Sequence, residues 1–147
     1  MLIANGQYDE AEAEAIHRHV VQLYKEVVGQ KHPDTLESMN NLAEVLESQG
    51  KYDEAEAMHR EALQLKEEVL GHKHPSTLTT MTNLAIVLKN QDKYDESEAL
   101  RREVLQVREE VLGQKHPDTV LSMDNLADML RYQGKYDEAE AVCRLAL

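Results

Sequence analysis

The sequence contains no phenylalanine and no tryptophan, and its only aromatics are six tyrosines. A core must therefore be built from Leu, Val, Ala, Met and Tyr. The single cysteine, Cys143, excludes an intrachain disulfide and fits a reducing compartment, so a cytoplasmic location is expected. Basic residues are few, 16 against 28 acidic, leaving a net charge of −12. That balance lacks the basic footprint of nucleic-acid binding and disfavours an anionic membrane surface. No apolar run reaches the length of a membrane-spanning helix. The N-terminus lacks the basic leader and apolar stretch of a signal peptide. There are only three prolines, Pro33, Pro75 and Pro117, and they are evenly spaced.

The spacing is 42 residues, and the tyrosines Tyr52, Tyr94 and Tyr136 keep the same interval. The segments 33–74 and 75–116 share 27 of their 42 positions. A fixed period of this size without insertions marks a stacked repeat array, in which each unit needs its neighbours to bury its apolar face. Two helical patterns fill the unit. In the first, 33–49, Met39, Leu42, Ala43 and Leu46 fall on one face, and Glu37, Asn41, Glu44 and Ser48 on the opposite one. In the second, 52–70, Tyr52, Ala55, Met58, Ala62, Leu63, Val69 and Leu70 supply the apolar positions. Pro33 suits the first turn of a helix, where its missing N–H costs nothing. Gly50 and Gly71 are placed to end the two helices in a left-handed conformation. Asp92 replaces that glycine in the next unit, and aspartate tolerates the conformation less well.

The unit resembles the tetratricopeptide repeat, whose pattern over about 34 residues appears here as Met39-x2-Leu42-Ala43-x2-Leu46 and then Ala55-x3-His59. The small Ala43 and Ala55 fit a close helix crossing. His59, Arg101 and Cys143 stand where the family usually has an aromatic. The longer unit, with its NNLA, GKYDEAE, EEVLG and KHPDT segments, is similar to the kinesin-light-chain subtype. Similar arrays occur in fungal signalling ATPases with a nucleotide-binding oligomerisation domain. The resemblance implies an all-α fold, a right-handed α-solenoid of antiparallel helix pairs.

One array over 1–147 is expected: a partial first repeat at 1–32, repeats at 33–74 and 75–116, and a shortened last repeat at 117–147. Met1 to Gly6 reads as the last turn of a first helix, with Tyr8 to Val28 as its second helix. Two extra residues there rotate Tyr8 by about 200°, so the start of that helix should be looped or packed differently from Tyr52. Both ends cut through a repeat, as in a fragment of a longer array. Weak head-to-tail self-association is expected at such ends.

The outward stripes of the first helices are Glu37, Asn41, Glu44 and Ser48; Thr79, Asn83, Ile86 and Asn90; and Leu121, Asn125, Asp128 and Tyr132. In the resembling family first helices line a concave face, and an asparagine at the place of Asn41, Asn83 and Asn125 often bonds the backbone of a bound peptide. An amide offers the donor and acceptor a peptide group needs. The asparagines could equally bond neighbouring helices or face solvent. The stripe is mostly acidic or neutral, with Lys89 and Arg131 near its edge, which favours a basic or mixed partner.

No metal, cofactor or catalytic site is expected. His17 and His19 face different ways on a helix, and His74 matches His32 and His116 as part of a recurring turn. There is no phosphate-cradling glycine loop, nucleophile elbow or zinc signature. Cys143 reads as a buried structural thiol. The expected function is a non-catalytic protein-interaction module binding a peptide or partner surface. The alternatives are a regulatory or sensor segment of a larger signalling ATPase, or a structural spacer.

Overall fold

The computed structural model describes the backbone of residues 2–145 and the side chains of residues 9–145. The described residues form seven helices and no strand: α1 Leu2–Val27, α2 Pro33–Ser48, α3 Tyr52–Leu70, α4 Pro75–Asn90, α5 Tyr94–Leu112, α6 Pro117–Tyr132 and α7 Tyr136–Leu145. The chain forms two compact units, one ending at Thr80 and the other beginning at Met81. In the first, α2 packs on α1 and on α3; in the second, α6 packs on α5 and on α7.

Each helix pair is made by the same local chemistry. Gly50 (φ +74°), Asp92 (φ +63°) and Gly134 (φ +78°) take the left-handed conformation expected of them. This turns the next N–H back onto the helix: Lys51 N–H donates to the Leu46 carbonyl at 2.9 Å, Lys93 to Leu88 at 2.9 Å and Lys135 to Leu130 at 2.8 Å. At Asp92 the side chain takes part, accepting a hydrogen bond from the Tyr94 hydroxyl at 2.7 Å. Each first helix opens on a capping histidine. His32, His74 and His116 accept through Nδ1 from the backbone N–H of Asp34, Ser76 and Asp118, each at 3.1 Å. The recurring histidines thus serve the turn, and the prolines follow them at the first helical position.

The apolar face of the first helices is buried as expected: Met39, Leu42, Ala43 and Leu46 in α2, and their repeats in α4 and α6. The second helices differ from expectation. Val69 is 46% exposed and Leu70 37%, whereas His59, Leu65 and Lys66 are buried. α3 has 19 residues against 16 in α2, so its last turn overhangs its partner. The small residues behave as the close crossing requires. Ala43, Ala55, Ala85, Ser97 and Ala127 are fully buried, and the Ser97 hydroxyl donates across to the Ala85 carbonyl at 2.7 Å.

The helix boundary expected at Gly6 is absent, because α1 runs unbroken from Leu2. Glycine in a helix interior costs only about 1 kcal/mol, and the continuous backbone rules out a looped start. The packing of Tyr8 lies outside the described side chains.

Within each unit, ion pairs tie the two second helices together: α1 to α3 in the first and α5 to α7 in the second. Arg18 pairs with Glu54, Lys51 with Glu14 at 2.7 Å and Lys25 with Glu61 at 3.1 Å. The second unit repeats the arrangement with Arg102–Glu138 at 2.9 Å and Lys135–Glu98 at 2.8 Å. Hydrogen bonds from Lys51 and Arg18 hold the Glu14 carboxyl below its usual range. Burial pushes the Glu98 carboxyl up, but bonds from Lys135 and Arg102 outweigh it and lower it overall. A depressed folded value contributes stability that is present above the ordinary glutamate value of about 4.3 and is lost as pH falls through the folded value. Glu98→Gln is therefore expected to cost about 1 kcal/mol at neutral pH. That difference should shrink toward zero as pH falls below the ordinary glutamate value. Urea unfolding of both proteins across that range measures it; a difference independent of pH would contradict the assigned ion pairs.

Candidate interaction surface

The twelve stripe residues share one pattern of exposure. Asn41, Asn83 and Asn125 are half-buried, and the other nine are exposed. Helical spacing explains this: each asparagine directly precedes a buried leucine, Leu42, Leu84 or Leu126, at the margin of the apolar face. Several stripe residues are occupied within their own helix. Asn40 donates to Glu44 at 3.2 Å, the Ser48 hydroxyl to the Glu44 carbonyl at 3.0 Å, and the Thr79 hydroxyl to the Pro75 carbonyl at 3.0 Å. Asp128 pairs with Arg131 at 2.7 Å. Asn83 already makes an interaction within the protein. The side-chain amides of Asn41 and Asn125 have no hydrogen-bond partner among the described residues.

In the first unit, Glu37 and Asn41 line a cavity of about 240 Å³ between α1 and α2. Its other walls are Ile16, His17, Val20 and Tyr24 of α1, and Asp34 and Ser38 of α2. The cavity thus sets two carboxylates, an amide and an apolar floor around one opening. The α1 residues were not anticipated as site residues. Their spacing, Ile16, Val20 and Tyr24 at steps of four, is the signal that places them on one face.

In the second unit the stripe sets Ile86, Leu121 and Tyr132 among the polar Asn83, Asn90, Asn125 and Asp128. Lys89 Nζ stands 4.6 Å from the centre of the Tyr132 ring, a cation–π distance. The Tyr132 and Tyr94 rings lie 5.3 Å apart and tilted. The hydrogen bond to Asp92 raises the Tyr94 hydroxyl above its ordinary value. Leu121 lines a further cavity, of about 380 Å³, with Pro117, Val120 and Met123. Behind the stripe, Arg101 fills the place of the missing aromatic and donates to the Asn125 carbonyl at 3.1 Å and to Ser97 Oγ at 3.3 Å. Burial lowers this guanidinium, with Asp128 acting the other way. Cys143 is only half-buried, not fully buried as expected, and accepts from Arg131 at 3.2 Å.

Among the described residues no cluster of three or more His, Cys, Asp or Glu is arranged to hold a metal. No described helix is long and apolar enough to cross a membrane.

Two tetratricopeptide-repeat profiles match the sequence, one over residues 76–147 and the other over residues 1–34 and 35–76. No curated protein matches it. Among solved structures, the nearly identical TPR-like repeats of a Podosopora anserina protein assigned as a kinesin light chain superpose with a TM-score of 0.81 at 25% identity. That match covers 95% of this chain and 65% of the other. BtubC (BKLC) from P. vanneervenii superposes with a TM-score of 0.83 at 21% identity, covering 94% of this chain and 55% of the other. The chain therefore spans less than two thirds of either structure.

Proposed function

This chain belongs to the tetratricopeptide repeat family, whose repeats are generally protein-interaction modules, and from that premise we propose that it binds a peptide along the concave groove of its first helices. The module is non-catalytic, and the groove binds through Asn41, Asn83 and Asn125 and the residues that flank them. The observation that carries this reading is Asn41: a half-buried amide with no hydrogen-bond partner among the described residues, on the wall of an open cavity. Such an amide is one hydrogen-bond pair short, which a peptide N–H and C=O would supply. The carboxylates of Asp34 and Glu37 beside it favour a lysine or arginine side chain in the same cavity. The acidic net charge steers basic partners toward the chain as a whole.

Selection from a random peptide library followed by calorimetry tests the reading. Selected peptides should be enriched in Lys and Arg. Asn41→Ala should weaken the best of them by about 1–3 kcal/mol, the cost of leaving a buried amide partner unpaired, with the helical circular-dichroism signal unchanged. Equal affinity for both proteins would move the asparagine to a purely structural role, and enrichment in Asp and Glu would overturn the charge assignment.

A further inference from the structure

α3 carries a charged group in an unusual place. Lys66 is 6% exposed, and its Nζ has one hydrogen-bond partner among the described residues, the Thr80 hydroxyl at 2.8 Å. No carboxylate lies within ion-pair distance of it among the described residues. An ammonium has three hydrogens to donate, and a buried charge without a counter-ion is costly. The next repeat shows how the same position is satisfied when its role is only to tie helices. There Arg108 donates to Ser122 Oγ at 2.6 Å and also to the Asp118 carbonyl at 3.3 Å. Lys66 makes the first of these bonds and lacks the second.

Lys66 lines a cavity of about 260 Å³ within the first unit. Pro33, Leu36, Val69 and Leu70 give it apolar walls. His74 lines it as well, and because its Nδ1 accepts the Ser76 N–H, the neutral ring carries its hydrogen on Nε2 as a second donor. Lys31, at the rim, is already paired with Glu68 at 3.0 Å. The remaining charge is Glu37, an exposed carboxylate that acts on Lys66 through space without bonding it.

We propose that this cavity binds an aliphatic carboxylate, its acid group on Lys66 and His74 and its stem against Leu36, Val69 and Leu70. The site borders the asparagine stripe, with Glu37 lining both cavities, but does not depend on peptide binding there. Its volume falls just below the usual range of ligand cavities, which fits a short acid or one acidic side chain. The bound carboxylate supplies the counter-ion that the fold does not. Val69 and Leu70, exposed in the free protein, become the walls that shield the pair from water.

NMR titration of the labelled full chain tests this, with hexanoate, hexanol and hexylammonium as probes. Hexanoate should shift the Leu36, Leu70 and Lys66 side-chain signals, and the two other probes should not. A blocked Leu-Glu dipeptide distinguishes a free acid from an acidic side chain as the source; binding of either carboxylate supports the site. Lys66→Met keeps the aliphatic stem and should weaken hexanoate by about tenfold or more. Glu37→Gln removes a like charge and should tighten it several-fold. Equal binding of hexanol and hexanoate, unchanged affinity in Lys66→Met, or no carboxylate binding at all would each overturn the proposal. The Lys66 side-chain shift in the unaltered protein gives the answer should the methionine variant fold poorly.

Discussion

Replacing Leu84 with alanine lowers the unfolding free energy by about 2–5 kcal/mol. Leu84 is 1% exposed, and its counterparts Leu42 and Leu126 are equally buried. The surroundings of such a leucine are visible at Leu126, which is enclosed by Leu105, Met123, Ala127, Leu130 and Ala139. These neighbours are fixed on rigid helices, so they cannot collapse into the space that the substitution leaves. The loss is then the transfer energy of the removed methyls plus the cavity that persists. Urea denaturation followed by circular dichroism measures it, and a change below about 0.5 kcal/mol, the range of ordinary surface substitutions, would contradict the packing.

The opposite change, Ala85→Leu, is expected to destabilise by about 1–3 kcal/mol through overpacking. The reason lies in the crossing of α4 and α5. Ala85 is fully buried, and the Ser97 side chain reaches the Ala85 main chain through a single hydrogen bond. Nothing larger than a methyl group fits between backbones held that close. A leucine there must either push the helices apart, breaking the Ser97 bond, or leave its own low-energy rotamers. Thermal unfolding compared with Ala85→Gly separates the two causes: glycine should cost helix propensity alone, about 1 kcal/mol, without disturbing neighbouring side chains. A leucine variant as stable as the parent protein would mean the crossing is looser than the structure has it.

Much of this architecture is written in residues whose role does not depend on context. Glycines at 50 and 134, with an aspartate midway at 92, announce a left-handed turn, and the backbone obliges at all three. The apolar face of α2 follows from helical spacing, and so does the outward stripe, with each asparagine at the boundary between them. What spacing did not reveal depends on partners from other helices. Lys66 and His59 carry polar groups, yet both are buried, because Lys66 finds Thr80 on the following helix and His59 finds Glu47 at 2.8 Å on the preceding one. Val69 and Leu70 are apolar and stay exposed, because α3 outruns the helix it packs on. The cavity beside Asn41 needs α1 and α2 together, and neither helix announces it alone.

The ion pairs between the two second helices of each unit reach 36 or 37 residues along the chain, and the Gln49 amide, which donates to the Glu10 carbonyl at 3.0 Å, reaches 39. Each such strut closes a loop of nearly constant length, so the chain entropy lost at every step is nearly the same. Folding of each unit under those terms resembles a zipper: once one helix pair has formed, its neighbour in the unit closes without a distant search. The same geometry bears on unfolding under load: within a unit, parting the two second helices breaks all of the unit's struts.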